Sequence, residues 1–388
     1  MNPVTVQPVP PIAASRGAFP LSRVGQVALH YGFVPIETAR LRKEDREYAR
    51  SLKEEPCACL PSVYAEDKVA LLRCYEEGRL DHVPESALFY REARAANGTL
   101  TAHLDILGCA KSIAEALIIK TALTALQEAG ETVVRIRINS VGDRDSLTRF
   151  GRELHGFYRK RADALHASCR DALRGDDAFS ALACAHEACR TLRADAPKPL
   201  GFLSDASRGH FKKVLEYLER LEVPYELEEH LVGHHSICTQ TIFDLWNESG
   251  ILLASGFRYN HLARRLGARR DIPALGATIV IRASAAPSRV RPTERHFYFI
   301  QLGEQAKVQG LHIIERLRRA ELFVLQSLAS DTLGSQIAHA ESLGVPYFII
   351  VGQKEAADGT ALVRDRERRF QETVPLEKLA SFLKRLIA

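Results

Sequence analysis

The apolar positions of this chain change period several times, and each change marks an element. RVGQVALHYG, residues 23–32, carries a short amphipathic helical pattern and leads into a strand-like FVPIETARL. LFYREARAANGTLTAHLDILG, residues 88–108, reads as two strands around a turn at Asn97-Gly98, a dipeptide suited to positive φ. AKSIAEALIIKTALTALQEAG, residues 110–130, has apolar residues at helical spacing and a glycine stop. VVRIRINSVG alternates like a strand, and SLTRFGRELHGFYRKRADALHASC after it reads as helix. FKKVLEYLERLEVPYELEEHLV predicts a helix and then a strand; TIFDLW, GILLASGFRY and ATIVIRAS predict antiparallel strands around one short helix. Beyond a linker, AAPSRVRPTE, the segments HFYFIQLG, AKVQGLHIIERLRRAE, LFVLQS, LGSQIAHAESLG and VPYFIIVG alternate strand and helix over short connections. That alternation predicts a separate α/β domain with a mainly parallel sheet. No internal repeat or low-complexity tract interrupts the pattern.

Composition narrows the class. The 388 residues are 46% hydrophobic and 26% charged, as in a soluble globular protein with two or three domains. Mean hydropathy is −0.14. The longest apolar runs, such as ALGATIVI and EALIIKTALTAL, are core-sized and too short to span a bilayer. The opening MNPVTVQPVPPIAAS is Pro-rich and lacks the basic flank and apolar core of an export signal, so it reads as a loose arm and the protein as cytoplasmic. A net charge of +5, with pI near 8.7, is compatible with a polyanionic partner without requiring one.

The eight cysteines read as reduced thiols or metal ligands rather than disulfides. HASC (166–169) and CAHEAC (184–189) place His166, Cys169, Cys184 and Cys189 as two short chelating pairs closing a loop, which suits tetrahedral zinc. His186 competes as a ligand, and buried thiols in a helical region are the alternative. Four protein ligands leave no open position, so such an ion is structural. His234, His235 and Cys238 also invite a metal, but neighbouring strand residues point to opposite faces, which favours pocket lining or packing.

The ordered segments resemble a histidyl-tRNA synthetase, a class II aminoacyl-tRNA synthetase, over nearly the whole chain. YGFVPIET resembles the family's first, dimer-forming motif, and YREARAANGTLTAHLDILG occupies the place of the second-motif hairpin. INSVGDRDSLTRF and SDASRGHFKKVLEYLERLEVPYELEEHLV are similar to the stretches before the histidine loop. ASGFRYNHLARRLG and PALGATIVI resemble the second histidine loop and the third motif, and the region from 296 onward resembles an anticodon-binding domain. The resemblance implies an α/β protein: a class II core of the α+β type built on an antiparallel sheet, plus a C-terminal α/β anticodon-binding domain. The boundaries read as an arm over 1–16, the core over 17–284 with an insertion at about 150–200, a linker over 285–295 and the last domain over 296–388.

Histidine activation joins a carboxylate to the α-phosphate of ATP with Mg²⁺, and its transition state concentrates negative charge. Fixed cations must surround the phosphates, and losing one such donor costs about 3–4 kcal/mol. The family's first histidine loop carries an Arg; the matching slot here is Gly233, followed by His234 and His235, with Ile237 and Cys238 replacing paired tyrosines. The third motif's Arg slot is Ala283, with Val280 at the expected Gly; Arg282 lies one place early. The second motif's Arg-x-Glu is reduced to adjacent Arg91 and Glu92. Glu66 falls where the family binds the substrate amine, Thr239 and Thr241 match the loop threonines, and Arg258 and Tyr259 match the second histidine loop, whose Asp is here Asn260. A surface hairpin arginine and a solvated carboxylate are the alternative readings of Arg91 and Glu66. Arg264, Arg265, Arg269 and Arg270 are a further source of charge. In the last domain, Gln301, Glu304, Gln305, Ser327, Gln336 and Gln353 lie near strand ends, where a parallel sheet binds ligands. Lys354, Arg364, Arg366, Arg368 and Arg369 are candidate RNA-phosphate contacts, with a solvated charged hairpin as the alternative.

Three functions follow as expectations: a homodimeric paralogue, impaired in adenylation, that keeps tRNA, RNA or histidine binding; an active divergent histidine–tRNA ligase; or a regulatory subunit of ATP phosphoribosyltransferase. The last usually lacks a full anticodon-binding domain, which this sequence keeps.

Overall fold

In the computed structural model the described residues are 22–36, 41–51, 63–77, 87–233, 237–282, 296–328, 330–368 and 370–387. They begin with α1 (Arg23–His30), β1 (Val34–Pro35), α2 (Lys43–Ser51) and α3 (Val63–Glu77). The hairpin β2 (Ala87–Arg94) and β3 (Leu100–Leu107) leads to α4 (Ile113–Glu128) and β4 (Val133–Gly142). Four helices follow, α5 (Arg144–Arg159), α6 (Ala167–Arg174), α7 (Phe179–Ala183) and α8 (Glu187–Arg193), and then α9 (Asp205–Arg220). Next come β5 (Glu226–Leu227), β6 (Thr239–Asn247), β7 (Leu252–Arg258), α10 (Leu262–Arg265) and β8 (Ala274–Ile281). The last segment runs β9 (Phe297–Gln301), α11 (Glu304–Arg319), β10 (Val324–Gln326), α12 (Leu333–Ser342) and β11 (Tyr347–Val351). It closes with α13 (Gln353–Asp358), β12 (Thr360–Asp365), β13 (Gln371–Pro375) and α14 (Leu376–Ile387).

The chain packs as two compact units, one from residues 1–38, 73–131 and 280–388, the other from 39–72 and 132–279. In the first, β1 pairs parallel to β2, and β2 pairs antiparallel to β3 from Ala87↔Leu107 to Arg94↔Leu100. Gly98 sits at φ +83° in the turn, as the Asn-Gly pair predicts, and Asn97 Oδ1 accepts the Thr99 N–H at 3.0 Å. α4 is buried almost all round, which its apolar sequence requires, and it packs on α1.

The last segment forms a five-stranded sheet in the order β10-β9-β11-β12-β13. The first three strands are parallel; β12 and β13 add an antiparallel hairpin, so the sheet is mixed. This segment is tied to α1 and α4. The His30 ring stacks on Phe323 at 4.1 Å, Tyr31 Oη donates to Glu315 at 3.0 Å, and Gln326 Nε2 donates to the Tyr31 carbonyl at 2.8 Å. Arg318 pairs with Glu128 at 3.0 Å, and Asp331 bridges Lys111 and Lys307. The side chains of Tyr31 and Phe33, where the resemblance implies a two-fold contact, are therefore buried within this unit. Residues 37–40 of that stretch lie outside the described set.

In the second unit β4 pairs antiparallel to β6, β6 to β7 and β7 to β8, while β5 adds parallel to β4. Arg137, on β4, ties that strand to β6 and to the residue just after β5. Its Nε donates to Asp244 Oδ1 at 2.9 Å, Nη1 reaches Glu228 at 3.4 Å, and its guanidinium lies 4.8 Å from the Trp246 ring. Asp143 caps α5, accepting from Ser146 N at 2.9 Å and Ser207 Oγ at 3.1 Å, and also takes the Ser204 hydroxyl that caps α9. One carboxylate thus fixes two helix starts. The single helix expected over 146–169 is broken: α5 ends at Arg159 and α6 starts at Ala167. The extended Leu165 between them is only 4% exposed and enters a separate core built by α5–α8. Burying that residue outweighs continuing the helix.

Candidate functional site

The second unit holds most of the histidine-loop candidates. Thr239 opens β6 and pairs across to Arg258 at the end of β7. Thr239 Oγ1 accepts the Asn260 N–H at 3.3 Å, and Asn260 Oδ1 accepts the Ala274 N–H at 3.0 Å. Asn260, at the family's Asp position, is thus a clip between β6 and β8. Thr241 is fully buried, and among the described residues its hydroxyl has no hydrogen-bond partner. Arg258 and Tyr259 are buried to 1% and 0% exposure.

Lys68, on α3, was not singled out from the sequence. It is 4% exposed, with Nζ 4.2 Å from the centre of the Tyr259 ring and 5.4 Å from that of Phe257. A buried ammonium therefore already occupies the aromatic face beside this loop. Nothing in VYAEDKVALLRCY distinguishes this lysine from one that reaches solvent.

Gly233 is the position that the sequence resemblance matches to the family's loop arginine. A Cβ there would lie 2.5 Å from Ile242 Cδ1 and 3.4 Å from Cys238 Sγ. The position of that Cβ is flanked by the side-chain tip of Ile242 on β6 and by the Cys238 side chain just before β6. Ile237 and Cys238 are themselves buried. Arg264, Arg265, Arg269, Arg270 and Arg282 are all exposed. His234, His235, Ala283 and the Glu66 side chain lie outside the described residues.

In the first unit the adjacent Arg91 and Glu92 are separated by the strand alternation. Arg91 is not a surface hairpin residue: it is 3% exposed and donates to Asp105, itself 1% exposed, at 3.2 Å. Glu92 points to the other face with Tyr90, whose phenol donates to it. Ser22, the cap of α1, donates its N–H to Glu92 Oε1 at 3.2 Å and its hydroxyl to Oε2. Burial, reinforced by the Glu92 charge, pushes the Tyr90 phenol well above its ordinary range, so it stays a proton donor to that carboxylate. Arg91 and Glu92 do not act on one ligand from a common face.

In the last segment, three glutamines saturate each other. Gln301 Nε2 donates to Gln326 Oε1 at 2.7 Å, and Gln336 Nε2 donates to the Gln301 carbonyl at 3.0 Å while its Oε1 accepts the Gln301 N–H at 3.2 Å. Gln301 and Gln336, offered by the sequence as strand-end recognition residues, are internal. Glu304, Gln305 and Gln353 are exposed at helix starts above the carboxyl ends of β9 and β11, and so is Lys354. Arg364 pairs with Phe348 and Arg366 donates its N–H to the Pro346 carbonyl, both toward the opposite end of β11, with exposed Arg368 in the β12–β13 turn. A five-residue strand separates the two groups by roughly 15 Å. The five cations expected to contact RNA do not form one patch; Arg369 lies outside the described residues.

The insert brings Cys169, Cys184 and Cys189 together, their sulfurs all within 4.8 Å of one another. His166 is outside that group, its ring stacked on His186 at 3.5 Å.

A mainly antiparallel sheet carrying the histidine-loop candidates, with a C-terminal mixed α/β segment, is the architecture of a class II aminoacyl-tRNA synthetase. Residues 296–386 match the anticodon binding domain model. Histidine–tRNA ligase of Geobacillus thermodenitrificans is 30% identical over 293 residues, covering 72% of this chain and 68% of the relative. The Bacillus velezensis histidine–tRNA ligase is 26% identical, covering 88% of this chain and 83% of its own. Apo S. aureus histidyl-tRNA synthetase superposes with a TM-score of 0.50 at 18% identity, over 93% of each chain. The chain belongs to the histidine–tRNA ligase family. Among the described residues, no helix is long and apolar enough to cross a membrane.

Proposed function

We propose that this protein is a histidyl-tRNA synthetase-like paralogue, impaired in forming histidyl-adenylate, that binds tRNA through its C-terminal domain. The observation that carries the proposal is the occlusion at Gly233, where a Cβ would meet Ile242 Cδ1 at 2.5 Å. The loop cation is absent, and the Ile242 side-chain tip and the Cys238 sulfur pack against the position its Cβ would take. The loss of one such donor slows the chemical step by roughly 10²–10³.

RNA binding rests on the anticodon-binding match over 296–386. Within that domain the carboxyl ends of β9 and β11, with Lys354 and the starts of α11 and α13, are the ligand-binding end of a parallel arrangement. The test pairs two measurements on the full chain. Histidine-dependent ATP–pyrophosphate exchange should fall at least about a hundredfold below that of an ordinary histidine–tRNA ligase assayed alongside. Total tRNA should bind with an affinity that drops steeply as salt rises. Exchange at an ordinary rate overturns the loss of adenylation, and absence of a salt-sensitive tRNA complex overturns the RNA role.

A further inference from the structure

The helical insert of the second unit carries a cluster that the synthetase reading does not use. Cys169 lies in the first turn of α6, Cys184 just after α7 and Cys189 in the first turn of α8. Cys169 and Cys189 are 4% and 0% exposed, Cys184 is half-buried, and all three are free thiols. Three soft donors from three short helices thus converge within 4.8 Å without a disulfide.

His166 and His186 stand at the N-caps of α6 and α8, yet neither side chain caps its helix. Serine, threonine, asparagine or aspartate would serve a cap better, so both histidines are out of place on local grounds. The His166 N–H points at Cys189 Sγ at 3.4 Å, the kind of backbone donation that supports a thiolate. His166 Nδ1 lies 2.8 Å from Ser168 Oγ, so Nε2 is the ring nitrogen not engaged in that contact. Tyr158 Oη is fully buried and, among the described residues, has no hydrogen-bond partner; it lies near the same sulfurs. α7 and α8 have five and seven residues, too short to hold their shape by helix propensity alone.

We infer that Cys169, Cys184 and Cys189 bind one zinc ion, with His166 Nε2 as fourth ligand after its ring turns from His186. Three thiolates and one imidazole suit tetrahedral Zn²⁺ and leave no position for substrate, so the ion staples α6, α7 and α8. Binding releases the thiol protons to solvent, and no redox partner is needed.

The test uses the full chain, purified without chelator and analysed for metal by mass spectrometry. About one zinc per chain is expected, with cobalt substitution giving the d–d bands of a tetrahedral thiolate site. Cys184→Ser, at the half-buried position, should lose the bound metal and lower the thermal midpoint, while the chain still unfolds cooperatively and keeps most of its far-ultraviolet circular dichroism, since the stapled helices are a small part of the whole. His166→Ala should weaken zinc affinity by about tenfold or more, with His186→Ala unchanged. Zinc well below one per chain after reconstitution, a Cys184–Cys189 disulfide in place of free thiols, or full zinc retention by Cys184→Ser would each overturn the site. Retention by His166→Ala with loss by His186→Ala would overturn the ligand assignment. None of these readouts depends on adenylation or tRNA binding.

Discussion

Gly233→Ala adds a single carbon where Ile242 Cδ1 already stands 2.5 Å away, with Cys238 Sγ next at 3.4 Å. Ile242 is 1% exposed on β6 and cannot swing into solvent. Forcing a methyl into such packing costs about 1–3 kcal/mol. Ile242→Val removes the clashing Cδ1 and alone costs about 0.5–1.5 kcal/mol. In the double variant the added methyl meets only an ordinary sulfur contact, so the first cost largely disappears. The two changes should therefore couple favourably by about 1–2 kcal/mol. The chain's single tryptophan, Trp246, lies on the same strand, so its fluorescence during urea unfolding reports this region directly. A double-mutant cycle on the urea midpoints is the assay. Additivity within about 0.5 kcal/mol would refute the packing argument, and with it the claim that Ile242 packs against the position of that Cβ.

Other outcomes follow from the same geometry. Asp105→Asn removes one charge of the buried Arg91–Asp105 ion pair and should cost about 3–5 kcal/mol in thermal or urea unfolding, whereas Arg91→Met with Asp105→Leu should recover most of it; equal losses in both would contradict the ion-pair reading. Asp143 titrates at about 2 in the folded chain: its partial burial raises the pKa, but the hydroxyl and N–H donors outweigh that and lower it below 3.8. Because the folded value is depressed, its stabilisation is present above pH 3.8 and is lost as pH falls toward 2. Asp143→Ala should cost about 1–2 kcal/mol at neutral pH and flatten that acid limb, and an unchanged limb would count against the double cap. Lys354→Glu should weaken tRNA binding and reduce the logarithmic salt slope by about one, while Arg366→Glu with Arg368→Glu should leave both unchanged; the reverse pattern would move the RNA face to the β12–β13 turn.

Elements with a strong local signal were legible in the sequence. The Asn97-Gly98 hairpin, the helix before Gly130 and the alternation after residue 296 follow from turn chemistry and period. The cysteines could be grouped from spacing because chelating pairs are local. What escaped depends on facing and on partners far away in sequence. The opposite facing of Arg91 and Glu92 follows from strand alternation, but which face each serves is decided by Asp105 and Ser22. Gln301 and Gln336 look like recognition residues until Gln326 is placed beside them. Lys68 gives no sign that two aromatic rings await it. A glycine in place of an arginine reveals a missing charge, but not that Ile242 packs against the position of its Cβ.

The central claim concerns the first chemical step, so the most direct measurement is single-turnover histidyl-adenylate formation, with the protein in excess over α-labelled ATP and with saturating histidine and Mg²⁺. The account predicts no labelled adenylate above a protein-free control on the timescale over which an ordinary histidine–tRNA ligase completes its burst. A stoichiometric burst of histidyl-adenylate would contradict it.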